Sequence, residues 1–172
     1  RFFAVIFVLN PIVGLITARE GIGRMFSEVF KFNGKDITFL VKFPVELIGV
    51  HPKDMPKQGF YNGGERMNIA FQIAAWAVLV ISGAVLWFGE GVVDSSIRAW
   101  MIPLHSFCAA IAFAGAIGHI YLATVVNPDS FHGMQDGTVK AEYANAHHGE
   151  WIDDMVKEGK LDRKELNEAL KS

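Results

Sequence analysis

Residues 99–128, AWMIPLHSFCAAIAFAGAIGHIYLATVVNP, hold no Asp, Glu, Lys or Arg. An uncharged run of this length predicts a membrane-spanning helix, since ~20 apolar residues cross a ~30 Å hydrocarbon core. Two imidazoles, His105 and His119, lie inside it, fourteen residues apart. On a helix that spacing is about 21 Å of rise, with directions differing by about 40°. Both side chains therefore face one side of the span, one towards each leaflet. Ionisable groups at such depth turn towards the bundle interior and mark function. Three readings fit: axial ligation of two haem irons stacked across the membrane, hydrogen-bonded packing, or a proton relay. Ala109, Ala110, Ala112, Ala114, Gly115, Ala116 and Gly118 surround the pair. Small residues admit a neighbouring helix closely, and equally leave room for a flat macrocycle.

Composition narrows the chemistry. The chain is 51% hydrophobic with a mean hydropathy of +0.27, high for a water-soluble domain. Its net charge of −2 leaves no nucleic-acid footprint. The single cysteine, Cys108, cannot ligate an iron–sulfur cluster, and no C-x-x-C-H is present for covalent haem attachment. It reads as a small buried hydrophobe. No dinucleotide, P-loop, zincin or nucleophile-elbow motif occurs, so no self-contained catalytic site is visible.

The pattern predicts three visible spans, at about 2–18, 67–89 and 99–126. The first carries Asn10-Pro11 at its middle, where a kink is expected. Residues 20–32 repeat apolar side chains at Ile22, Met25, Phe26, Val29 and Phe30, the stripe of an amphipathic surface helix, broken by Asn33-Gly34. A mixed helix or extended piece follows over 36–50. Residues 51–64, rich in Pro, Asn and Gly, read as a loop that includes His51 and the turn Asn62-Gly63-Gly64. Trp87 lies near the end of the second span, at the level of an aromatic belt. Beyond 128 the chain is polar, with helices expected around 150–158 and from Asp162, whose D-x-x-E with Glu165 is a capping signature. His132 reads as a loop residue, and His147-His148 as a solvated or docking pair rather than a metal pair. The organisation is thus a membrane domain, 1–128, enclosing a loop at 19–66, and a tail, 129–172.

Lysines and arginines orient these spans. Eight lie in 19–66, six beyond 127 and one in the link 90–98, which predicts a cytoplasmic loop and tail and a periplasmic link. His105 is then the periplasmic-side imidazole and His119 the cytoplasmic-side one.

Three motifs in order resemble one family. Leu104-His105 through His119 is an L-H-x13-H; Tyr61-Asn62-Gly63-Gly64-Glu65-Arg66-Met67 is similar to Y-N-x-G-Q-K-M; and residues 144–151, ANAHHGEW, resemble A-x-x-H-H-x-x-W. Together they resemble the di-haem cytochrome b (gamma) subunit of membrane-bound respiratory formate dehydrogenase. The resemblance implies an all-α integral membrane protein, a bundle of four spans in the intact protein, of which three are visible here. It implies two haem b groups, each held by one histidine of span four and one from span one or two. The start Arg1-Phe2-Phe3 resembles the residues just after the span-two ligand, so an upstream segment with span one and both partner ligands is expected. Carried over, His105 and His119 are the haem-iron ligands. Asn62, Gly64 and Glu65 (Gln in the family) lie with His119 at a site for menaquinone or ubiquinone. Asn62 offers an amide to a quinone carbonyl, Gly64 permits close backbone approach, and Glu65 offers a carboxyl for protons.

The implied partners are an iron–sulfur (beta) subunit, a molybdenum- or tungsten-containing catalytic (alpha) subunit that oxidises formate, and the lipid of a bacterial inner membrane, with a higher oligomer of the complex open. The cytochrome b subunit of a hydrogenase or thiosulfate reductase is the alternative within this class. A cofactor-free anchor or proton-relay subunit is the alternative outside it.

Overall fold

The structure, a computed structural model, describes residues 1–46, 50, 52 and 54–170. The expected loop position His51 lies outside them. Every regular element among the described residues is helical: α1 (Phe2–Thr17), α2 (Arg19–Val29), α3 (Gly34–Glu46), α4 (Gly63–Phe88), α5 (Ser95–Tyr121) with a π-helical extension (Leu122–Val126), α6 (Asp129–Gln135), α7 (Ala141–His147), α8 (Gly149–Lys157) and α9 (Arg163–Ala169). Two helical stretches, Gly63–Phe88 and Ser95–Val126, are long and apolar enough to cross a membrane, and α1 with α2 makes a third if that bent pair is one span. The chain is an all-α integral membrane protein. It divides into two compact units, Arg1–Lys31 with Ile69–Ala116, and Phe32–Asn68 with Ile117–Ser172.

The first unit is built on apolar helices whose large side chains stand exposed, among them Phe3, Ile81, Trp100, Phe107 and Phe113. An exposed apolar surface of this kind suits a lipid environment or an apolar packing partner. Apolar character ends at Arg19-Glu20, where Ala18 leaves helical geometry and α2 turns 103° away from α1. Inside α1, Pro11 has no N–H, so the Phe7 carbonyl four residues earlier loses its ladder partner. The indole Nε1–H of Trp76 donates to that carbonyl at 3.1 Å, tying α1 to α4. Arg1 lies over the ring of Trp87, 5.4 Å from its centroid, so α1 runs antiparallel to α4.

Helices α4 and α5 are antiparallel too. Ser82 meets His105, Ala75 takes the Cys108 thiol at 3.6 Å, and the Gln72 amide donates to the Ala112 carbonyl at 3.2 Å. Cys108 is buried, as expected of a small hydrophobe. Between the helices, Gly91 turns the chain at φ +73°, a conformation that favours glycine. Asp94 caps α5 by accepting the Ser96 amide at 2.8 Å.

The second unit corrects several boundaries. The second span does not wait for Met67, because Asn62 is an N-cap: its Oδ1 accepts the Glu65 amide (2.9 Å), and the Glu65 carboxylate accepts the Asn62 amide (2.8 Å). This reciprocal pair is a capping box, and it draws Gly63 and Gly64 into the first turn of α4 instead of leaving them in a loop. Asn33 plays the same part for α3, accepting from Lys35 N while Asp36 accepts from Asn33 N, so α3 begins at Gly34. In the tail, His132 belongs to α6, and α6 and α7 occupy a stretch read as polar chain. Around Ala144, Ile152 and Leu166 the short tail helices share a small apolar core with Trp151, Leu161 and Leu170. Asp162 caps α9 as expected, through the Lys164 amide.

Helix α5 loosens to a π turn after Tyr121. The Thr124 hydroxyl bonds the Ile120 carbonyl at 2.7 Å, competing with the α-helical ladder there.

Candidate functional site

His105 is held by α4. Its Nδ1 lies 2.8 Å from Ser82 Oγ, and that hydroxyl lies 2.6 Å from the Val78 carbonyl one turn earlier. A hydroxyl has one proton, and a carbonyl can only accept, so the Ser82 proton sits on the bond to Val78. The bond to His105 must then carry the imidazole's own Nδ1–H, an assignment made from the network. The remaining nitrogen, Nε2, keeps its lone pair and makes no hydrogen bond among the described residues. Metal-ligating histidines have this arrangement: one nitrogen tethered through its N–H, the other bare. Gly83 completes the seat, since a Cβ there would lie 3.3 Å from His105 Cε1. The residues present therefore fit an axial haem ligand.

The other candidates gather in the second unit. Asn62, Gly64 and Glu65 form the first turn and cap of α4, and the Glu65 carboxylate interacts electrostatically with His148, His119 and Arg66. The cap consumes Asn62 Oδ1 and leaves its Nδ2 without a hydrogen-bond partner among the described residues. Within the protein, the tighter backbone approach is at Gly63. A Cβ on Gly63 would lie 2.8 Å from the Cα and carbonyl oxygen of Asp36, whereas one on Gly64 meets Asn62 Oδ1 at 3.2 Å and the Phe39 ring at 3.6 Å.

Two residues not singled out in the sequence position this turn. Asp36, 1% exposed, pairs with the Arg66 guanidinium at 2.8 Å, locking α3 against the start of α4. Gln58 is buried, and its side-chain oxygen accepts the Gly63 amide at 2.8 Å. The Gln58 carbonyl accepts the Glu150 amide (2.9 Å) at the start of α8, so one residue satisfies two helix N-termini.

His148 docks the tail on the same loop: it is buried, its Nδ1 lies 2.9 Å from the Gly59 carbonyl, and Trp151 packs edge-on to Phe60. Lys57 and Arg163 both pair with Asp153 and hold its carboxyl down to about 2. No group of three or more His, Cys, Asp or Glu side chains suited to a metal ion occurs among the described residues.

Apolar spans, one of which carries an imidazole tethered at Nδ1 with Nε2 bare, fit a membrane cytochrome. A family model described as prokaryotic cytochrome b561 matches residues 2–137. The chain belongs to that family, which binds haem b. It is similar to the formate dehydrogenase cytochrome b556 subunit of Haemophilus influenzae (strain ATCC 51907 / DSM 11121 / KW20 / Rd), 29% identical over 72% of this chain and 52% of that one. The nitrate-inducible formate dehydrogenase cytochrome b556(Fdn) subunit of Escherichia coli (strain K12) is 27% identical over 72% and 57%. The cytochrome b556(fdo) subunit of the same organism is 28% identical over 87% and 71%. The chain spans about half the length of the first two of these relatives.

Proposed function

We propose that this chain is the membrane-anchoring cytochrome b subunit of a formate dehydrogenase complex, passing electrons from an iron–sulfur subunit through two b haems to quinone. The observation that carries the reading is the tethered imidazole of His105 inside an apolar span, in a chain of the cytochrome b561 family. When bound, haem supplies a one-electron carrier within the bilayer. His105 contributes Nε2 to one iron, and His119 contributes its imidazole to the other. Asn62 holds quinone by donating from Nδ2 to a carbonyl oxygen, and Glu65 holds a proton at the oxygen its cap does not use. Lys57, Asp153, His148 and Gln58 keep the turn that presents these groups against the tail.

In this reading residues 1–128 form the cytochrome domain and 129–172 a cytoplasmic tail. The loop 19–66 also faces the cytoplasm, and the membrane is the bacterial inner membrane. A molybdenum- or tungsten-containing subunit, reached through the iron–sulfur subunit, oxidises formate.

Haem content and quinone kinetics test the assignment. His105→Ala and His119→Ala should each lose one of two haems by pyridine haemochrome assay. Asn62→Asp keeps a cap oxygen but removes the Nδ2 donor, so it should slow haem reoxidation by added quinone in stopped flow while donor reduction stays normal. Full haem content in both histidine variants refutes the ligand assignment. Unchanged reoxidation in Asn62→Asp moves the quinone elsewhere.

A further inference from the structure

We infer that Ser82 and Gly83 form the seat of a haem ligand, and that the Ser82 hydroxyl lowers the reduction potential of the haem held by His105. The inference rests on the proposed ligation by His105 and adds a positioning residue to it. Ser82 is 1% exposed, among the most deeply buried side chains of the chain. A serine inside an apolar helix ordinarily satisfies itself by bonding its own i−4 carbonyl. Ser82 does that with Val78, and in the same geometry its lone pair accepts Nδ1–H of His105 on the facing helix.

The direction of the effect follows from the charge at the iron. An acceptor on Nδ1–H makes Nε2 a better electron donor. The hydroxyl is itself polarised by donating to Val78, which strengthens it as an acceptor. A more basic axial nitrogen favours the ferric iron, which carries one more positive charge than the ferrous, so the bond lowers the midpoint potential. Gly83 supplies the steric half of the seat. With 3.3 Å between the site of its missing Cβ and His105 Cε1, any side chain there pushes the ring away from α4. One polar contact and one steric contact together set the ring's rotation.

The experiment is a potentiometric titration of the b haems in the native membrane-bound protein, with haem counted by pyridine haemochrome and low-spin g-values read by electron paramagnetic resonance. Ser82→Ala should retain both haems, raise the midpoint of one and leave the other in place. The affected haem should transfer to excess apomyoglobin about tenfold or more faster, since losing a ligand's hydrogen-bond partner weakens metal binding about 10–100-fold. Ser82→Cys, of similar size but a poorer acceptor, should fall between. Gly83→Ala should change the g-values of the same haem. It and Ser82→Cys decide the matter should Ser82→Ala fail to assemble.

Unchanged midpoints and g-values in the Ser82 and Gly83 variants, beside loss of one haem in His105→Ala, overturn this inference and leave the ligand assignment standing. Retention of both haems in His105→Ala overturns the two together. A downward shift in Ser82→Ala also overturns the inference.

Discussion

Replacing Asp36 by Ala removes one half of a desolvated ion pair. Its side chain is 1% exposed and that of Arg66 is 6% exposed, so the small value of a surface pair, about 0–1 kcal/mol, does not apply. Stripping one partner from a buried pair costs about 3–5 kcal/mol, and the Glu65 carboxylate, which still interacts with Arg66, puts this case at the lower end. Asp36 also accepts the Asn33 amide at the start of α3, and losing a cap of this kind adds about 1 kcal/mol. Asp36→Ala should therefore destabilise the unit by about 4 kcal/mol.

Asp36→Leu combined with Arg66→Met removes both charges and keeps apolar volume. It should be far less harmful than the two single changes predict together, because neither half of the pair is left buried without the other. Thermal denaturation in detergent micelles, followed by circular dichroism at equal protein and detergent concentration, gives the comparison. If Asp36→Ala costs under about 1 kcal/mol, or the double variant equals the sum of the singles, the pair is not desolvated and the reasoning fails.

Trp76→Phe should lower thermal stability by about 1–3 kcal/mol, because it leaves the Phe7 carbonyl unpaired in hydrocarbon. Pro11→Ala restores a ladder N–H to that carbonyl, so the same Trp76 change in a Pro11→Ala background should cost measurably less in the same melt. Asp153 has a folded-state pKa of about 2 because Lys57 and Arg163 bond it, below its ordinary ~3.9 when unfolded. Its contribution is therefore full above about pH 4 and is lost as pH falls from there towards 2. Trp151 fluorescence should report loosening of the tail in that window, and Asp153→Asn should be already loosened at neutral pH and insensitive across the window. A transition of unchanged midpoint in Asp153→Asn would assign it to another carboxylate.

The long apolar runs were legible in the sequence because a membrane helix satisfies its backbone within itself. Hydrophobicity and the absence of charge then suffice to place α4 and α5. The stop at Arg19-Glu20 and the amphipathic helix after it were likewise legible locally, from the charges and the apolar stripe. The capping boxes at Asn33 and Asn62 were also written locally, as N-x-x-D and N-x-x-E, but asparagine beside glycine reads first as a turn, and so Gly63 and Gly64 were assigned to a loop.

What tertiary structure alone decided is which distant group answers each buried polar atom. Nothing around Trp76 says that its indole repairs the carbonyl freed by Pro11. Nothing around Gln58 says that it serves the N-termini of both α4 and α8. The sequence places His105 inside an apolar span, but its spacing alone leaves ligand, packing group and relay open. Its tautomer was settled by Ser82, twenty-three residues away on the facing helix. A single hydroxyl proton, already engaged with Val78, determines which imidazole nitrogen keeps its lone pair, and that depends on how two helices pack rather than on the residues beside the histidine.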